Sequence, residues 1–393
     1  MLSRTLSATL LSCALTSAAI ASAESATPLS SPPATPPTTA PAAPDAFHPA
    51  NLWLDNHNTP INAHGGGILL YNGRFYWFGE HKIAGPAGND AHVGVHVYSS
   101  QDLTHWRDDG IALSVAKNPD SPIHEGCILE RPKVLYNDLT HKFVMWFHLE
   151  TKDADHPMYS AAYAGVAVAD NPAGPYTFLH AGRLNAGELP LTRTADGRTL
   201  HLPLNELPDH DTFARDFDAG QMSRDCTLFT DTDGHAYFIS SSEENRYLHF
   251  CQLSDDYLTV TKDFTRFTAD QQGTDNEAPA LFQKHGKYFL ITSGTTGWAP
   301  NAARLFSADS IWGPWTYLGN PCQGSLEDRN STFHSQSTFI LPVLGHPGQF
   351  IFMADRWNPK DAIDGRYIWL PIEWNDQTPY LKWHETWDMS LFK

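Results

Sequence analysis

One phrase returns five times along the chain: a polar or charged residue, a short apolar run, a turn, then an aromatic-rich strand. The copies open at His64 (His-Gly-Gly-Gly-Ile-Leu-Leu), Glu130 (Glu-Arg-Pro-Lys-Val-Leu), Asp225 (Asp-Cys-Thr-Leu-Phe), Glu277 (Glu-Ala-Pro-Ala-Leu-Phe) and Gln336 (Gln-Ser-Thr-Phe-Ile-Leu). Asn72-Gly73, Asp233-Gly234, His285-Gly286 and Pro347-Gly348 supply turn chemistry in four of the copies, so each phrase reads as a β-hairpin. A second strand pair follows each hairpin and runs to or past Trp106, Tyr176, Val260, Trp315 and Leu381. Four strands repeated radially is the plan of a β-propeller, which removes most sheet edges by arranging blades around a channel. The expected fold is all-β: a five-bladed β-propeller in a single domain.

Equivalent positions in a propeller occupy equivalent places around one axis. If the opening residue of each phrase starts the innermost strand, His64, Glu130, Asp225, Glu277 and Gln336 ring one end of the channel. Three carboxylates, an imidazole and an amide then converge on one pocket. The bland alternative, five unrelated turn residues, does not account for their common phase in the repeat.

The fold does not begin at Met1. Arg4, the apolar run Leu6 to Ile20 and Ala21-Ser22-Ala23 make a signal peptide over residues 1–23, and the run is too short for a transmembrane helix. Acylation at Cys13 is the weaker alternative. Residues 24–46 are rich in Pro, Ala and Thr and cannot bury apolar surface, so they read as a linker. The propeller is expected over 47–393, in a secreted or periplasmic protein.

Acidic residues outnumber basic ones 44 to 26, for a formal net charge of −18. Nucleic acid and anionic membrane both demand Lys/Arg patches, and none is visible, so neither partner nor membrane insertion is expected. Cys127, Cys226, Cys251 and Cys322 follow the leader without CxxC or Cys/His metal spacing, and are expected to be buried thiols or at most one or two bridges. The chain is expected to be a monomer.

Hydrolysis of a glycosidic bond needs one carboxylic acid to protonate the leaving oxygen and commonly a second carboxylate to activate water. Glu130, Asp225 and Glu277 suit this, because like-charged neighbours keep one carboxyl protonated near neutral pH. The same oxygens suit Ca²⁺, so a structural calcium stays open although no cofactor is required. His64 precedes three glycines that let the backbone approach the axis. Its imidazole could contact substrate or make a structural hydrogen bond. Trp298 and Asn301, in the loop 297–301, are the candidates to line the sugar pocket, with a core position the other reading for Trp298.

The segments Ile61-Asn-Ala-His-Gly-Gly-Gly-Ile-Leu, Glu125-Gly-Cys-Ile-Leu-Glu-Arg-Pro-Lys-Val, Ser223-Arg-Asp-Cys-Thr-Leu-Phe, Glu277-Ala-Pro-Ala-Leu-Phe and Thr292-Ser-Gly-Thr-Thr-Gly-Trp-Ala-Pro-Asn resemble the exo-β-1,3-galactanase branch of glycoside hydrolase family 43. The resemblance covers residues 50 to 393. It implies a five-bladed propeller and an inverting exo-glycosidase, with Glu277 as general acid, Asp225 tuning and orienting it, and Glu130 as a further carboxylate at the site. The family's usual aspartate base at the start of the first blade is replaced by His64. The branch is thought to manage with a glutamine, which matches Gln336, either as an imidic acid or by positioning water. Glu130 is the alternative base, if it lies roughly 6.5–9.5 Å from Glu277. The implied substrate is β-1,3-galactan, the backbone of arabinogalactan. Within the same fold the alternatives are an α-L-arabinofuranoside or a β-D-galactofuranoside, and in another class a non-catalytic carbohydrate-binding propeller.

Overall fold

The computed structural model describes residues 45–152, 159–193 and 199–392. The leader expected over 1–23, and all of the linker but its last two residues, lie outside them. The regular structure of the described residues is mainly β-strand, and five of its sheets are the blades. Blade I holds strands His64–Tyr71, Arg74–Glu80, Gly94–Ser100 and Arg107–Ser114, and blade II Ile128–Asn137, Lys142–Glu150, Tyr163–Ala169 and Thr177–Gly182. Blade III holds Cys226–Thr230, Ala236–Ser242, Tyr247–Leu253 and Val260–Arg266; blade IV Glu277–Lys284, Lys287–Ser293, Arg304–Ala308 and Thr316–Gly319. Blade V holds Gln336–Pro342, Phe350–Arg356, Arg366–Asn375 and Thr378–Lys382, and a short parallel strand, Cys322–Gln323, extends its edge.

The first strand of each blade packs against the first strands of its two neighbours, and blade I meets blade V, so the inner strands close a ring. The apolar core is divided accordingly, with one buried cluster in each gap between blades. The phrase predicts this, because each aromatic-rich second strand is buried on both faces between neighbouring blades. Where the ring closes, Trp77 of blade I and Trp369 of blade V pack with Trp53, Trp106 and Tyr367. Phe47 clasps the two ends of the described chain. Its N–H donates to the Trp387 carbonyl (2.7 Å) and its ring stacks on Trp387 at 4.1 Å.

Two features go beyond the repeat. Between blades II and III the chain detours through the strand pair Leu191–Arg193 and Thr199–His201 and the helix His210–Arg215. Phe213 of that helix is fully buried against Leu207, Cys251 and Phe264 on the flank of blade III. The four cysteines of the described residues, Cys127, Cys226, Cys251 and Cys322, are buried free thiols, each pushed up to about 12 by burial. Among the described residues no helix is long and apolar enough to cross a membrane.

Candidate active site

The ring positions come to one end of the channel by a shared irregularity of the inner strands. In blades I, II and IV the pairing register slips just after the ring residue, between His64 and Gly67, Glu130 and Lys133, and Glu277 and Ala280. The next residue takes the left-handed conformation in each: Gly65 (φ 62°), Arg131 (57°) and Ala278 (52°). Such a bulge re-aims a side chain, and left-handed non-glycine residues persist only where the surroundings hold them.

A cavity of about 340 Å³ opens here, within the range of small-molecule sites. Glu130, Asp225, Glu277, Gln336 and Trp298 all line it, together with Glu80, Lys82, Asn89, Arg131, Asn245 and Trp357 among others. Trp298 is 43 % exposed at its wall and meets Trp357 edge-on at 5.9 Å.

Arg131 is the hub. It ion-pairs with Asp225 through Nε and Nη2 (3.1 and 2.8 Å), and donates to the Gln336 amide oxygen (2.6 Å) and the Ser337 carbonyl (2.9 Å). Asp225 also accepts from the Ala278 N–H at 3.1 Å, so both its oxygens are engaged. Glu277 accepts from Asn245 Nδ2 at 2.7 Å. Burial, then the charge of Asp225, push its carboxyl up to about 8, with Arg131 and Arg224 pulling the other way. Glu277 is therefore a proton carrier at neutral pH.

Glu130 is held in the opposite state. Burial raises its carboxyl, but the hydrogen bond and charge of His148, with Lys82 and Asn89, hold it well below the usual carboxylate range. Asn89 and the Tyr159 hydroxyl donate to one oxygen (3.0 and 3.2 Å), and His148 to the other (2.9 Å). His148 bridges on to Glu150 at 2.8 Å; these two carboxylates outweigh its burial and lift it to about 9. An anion with three donors has little tendency to take a proton from water, so the geometry does not fit Glu130 as the base.

Gln336 is fixed as an amide. Its Oε1 accepts from Arg131 and from the Trp357 indole (2.9 Å), while Nε2 donates to Ser293 Oγ (3.0 Å). Neither donor at Oε1 can accept a hydrogen bond, so an imidic O–H there would face two N–H groups.

Two expected pocket residues do not line the main cavity. His64 is fully buried outside the cavity wall, its ring stacked on Tyr367 at 5.3 Å, and burial with the charges of Lys82 and His81 pushes it down to about 3. It is a neutral core imidazole. Asn301 staples its own loop, bonding Gly294 at N–H (2.8 Å) and carbonyl (3.0 Å) and Thr296 Oγ1 (2.7 Å), and lines a smaller cavity that shares Trp298, Gln336 and Trp357 with the main one. Among the described residues the only three candidate metal-ligand atoms within 4.8 Å of one another belong to Asp45, Asp102 and His105, all exposed.

Sequence reasoning missed Glu80, Asn245 and Trp357. Glu80 and Trp357 close or follow the second strands of blades I and V, and Asn245 sits on a hairpin tip, where the repeat sets no phase. Arg131 stood inside a quoted motif without a role.

The profile of glycosyl hydrolases family 43 matches residues 209–387. Against the curated proteins no match is found. Among solved structures, a family 43 β-1,3-galactosidase with galactodeoxynojirimycin is 47 % identical, with a TM-score of 0.79 over 87 % of this chain and 100 % of that one. The exo-β-1,3-galactanase from Phanerochaete chrysosporium, solved as a variant with β-1,3-galactotriose, is 30 % identical (TM-score 0.71; 88 % of this chain, 68 % of that one). The exo-β-1,3-galactanase from Clostridium thermocellum is 33 % identical (TM-score 0.70; 87 % and 66 %). With a relative at this identity matched along its whole length and five blades in place, the chain belongs to glycoside hydrolase family 43.

Proposed function

We propose that this glycoside hydrolase is an exported, inverting exo-enzyme that removes galactose from β-1,3-galactan, the backbone of arabinogalactan. The observation that carries the reading is the pairing of Glu277, part-buried and held at about 8, with Asp225 beside it. A sugar-binding propeller has no need of a carboxyl kept in its acid form. The relatives described as β-1,3-galactosidase and exo-β-1,3-galactanase support the choice of sugar, and the leader over 1–23 supports export.

In this reading Glu277 protonates the glycosidic oxygen as the bond breaks. Asn245 occupies Oε1, which leaves Oε2 to carry the proton. Asp225, clamped by Arg131, keeps the pKa of Glu277 high. Glu130 stays an anion that accepts hydrogen bonds from sugar hydroxyls, and Trp298 offers its ring to the apolar face of a sugar.

The test is chromatography of sugars released from debranched β-1,3-galactan, with aryl arabinofuranoside and galactofuranoside alongside and Glu277→Gln as control. Free galactose, lost in the variant, is the expected result. Turnover of a furanoside alone reassigns the substrate, and binding without turnover of any of them favours the carbohydrate-binding propeller.

A further inference from the structure

Blade II carries a buried carboxylate outside the pocket lining, Glu150, that the reaction read above does not use. Glu130 lies on the inner strand of this blade, and His148 of the second strand is directly opposite it in the pairing register. Side chains alternate along a strand, so Glu150, two residues on, shares the face of His148. The side chains of His148 and Glu150 are 1 % and 3 % exposed. His148 meets Glu130 through Nδ1 (2.9 Å) and Glu150 through Nε2 (2.8 Å). An ionised carboxylate only accepts and a neutral imidazole has one N–H, so both contacts are hydrogen bonds when His148 is an imidazolium.

Glu150 reaches Glu130 by a second route. Its oxygens accept the N–H groups of Ala161 (3.0 Å) and Ala162 (3.1 Å). Tyr159 and Ala162 are both left-handed (φ 64° and 46°), a conformation that persists only where the surroundings hold it. Arg183 donates to the carbonyls of Ser160 (2.7 Å) and Ala161 (3.1 Å), and Arg224 to that of Tyr159 (2.7 Å), so the turn is gripped from both sides of its peptides. That turn presents the Tyr159 hydroxyl to Glu130 Oε1 at 3.2 Å. The imidazolium and the phenol that hold Glu130 are thus themselves held by Glu150.

We propose that Glu150 is a positioning residue of this enzyme: through His148 it keeps Glu130 ionised, and through the turn 159–162 it aims the Tyr159 hydroxyl at the same carboxylate. The proposal rests on the reading given above, in which Glu130 accepts hydrogen bonds from the substrate. Glu150 touches no substrate and acts only through these two neighbours. The electrostatics support the assignment. Burial lowers His148, and its hydrogen bonds and charge contacts with Glu130 and Glu150 reverse this and lift it to about 9. Burial raises Glu130, and the hydrogen bond and charge of His148, then Lys82 and Asn89, bring it down. The other groups facing Glu130 are Glu80 of blade I, Arg131 and Tyr159 of blade II and Glu277 of blade IV. Without the Glu150 charge, His148 loses its proton at lower pH, and Glu130, deprived of its hydrogen-bonded cation, takes up a proton at higher pH.

The experiment compares wild type, Glu150→Gln and Glu150→Asp, with Phe47→Ala as a variant that only the fold should feel. Initial rates on β-1,3-galacto-oligosaccharides are measured across the pH range, and ¹⁵N-histidine NMR follows His148, assigned by its loss in His148→Gln. Wild-type His148 is expected to keep both N–H groups until the pH approaches about 9. In Glu150→Gln it should titrate nearer the ordinary imidazole range, with KM raised about tenfold and kcat within about threefold, the mark of lost ground-state binding. That KM should climb further as the pH falls and Glu130 takes up its proton. Glu150→Asp keeps the charge, so a protonated His148 and recovery of most of the KM are expected. Glu150→Gln with wild-type KM at every pH, melting lower as Phe47→Ala does, overturns the proposal. So does a neutral His148 in wild type at neutral pH, a result that needs no folded variant. Wild type that keeps the His148 imidazolium but turns over no galactan is the separate failure of the functional reading itself.

Discussion

Glu277 keeps its proton because of where it sits, below the surface and next to the Asp225 carboxylate. A carboxyl raised to about 8 is protonated below that pH, so activity is expected to be sustained through neutrality and to fall as pH rises through about 8. Asp225→Asn removes a charge that opposes ionisation and leaves Arg131 unpaired, and both effects lower the Glu277 pKa. The basic limb of the kcat profile should then move to lower pH, and an unmoved limb would assign the shift to burial alone. Glu277→Gln should cost about 10²–10⁴-fold in kcat on galactan and much less on an aryl galactoside whose leaving group needs no proton, as measured by initial rates on the two substrates. Of these residues, Glu130, Asp225, Glu277 and Gln336 were legible in the sequence, because they open repeated phrases. His64 opens one too, yet burial turned it into core, which no feature of its phrase signals.

At the scale of elements, the hairpin tip of blade III shows how a strained turn places a site residue. Glu243, Glu244 and Asn245 are three consecutive left-handed residues (φ 51°, 58° and 67°), none of them glycine. The tip holds because buried Glu243 is gripped by Arg266 (2.7 Å) and His249 (2.8 Å), which leaves Asn245 facing Glu277. Asn245→Gly should relieve backbone strain and leave the melting temperature unchanged or slightly higher, while kcat falls about tenfold as Glu277 loses the donor that orients it. A destabilised variant with full kcat would mean that Asn245 serves the fold alone. Arg266→Ala, by contrast, strands Glu243 without its cation and should cost about 3–5 kcal/mol in a urea titration. The sequence carried the strands of these elements well, since Ala236–Ser242 and Tyr247–Leu253 follow from apolar runs around a polar Glu-Glu-Asn-Arg turn. It did not carry the aim of Asn245, which depends on contacts with Arg266 and His249 made only once the blade has folded. The insertion through Leu191–Arg193 and His210–Arg215 lies outside the repeat, so no phase of the repeat marks it.

At the scale of the molecule, five similar sheets close on themselves, and the seam between blades I and V carries the ring. Trp77, Trp369 and Tyr367 fill it, and the Phe47–Trp387 pair fastens the described ends of the chain across it. Closure also sets the site, because Arg131 of blade II reaches Asp225 of blade III and Gln336 of blade V across the channel. Phe47→Ala should therefore cost about 3–5 kcal/mol of stability by chemical denaturation, although Phe47 lies outside the pocket. An enzyme that cleaves β-1,3-linked galactose with inversion, as proposed, must release the α-anomer. The most direct test is proton NMR of the galactose first released from β-1,3-galactan, recorded before mutarotation scrambles the anomers. α-Galactose is expected first, with β-galactose appearing only as mutarotation proceeds. β-Galactose first would require a covalent intermediate and contradict the division of labour among the pocket carboxylates, and oligosaccharides without free galactose would contradict exo action.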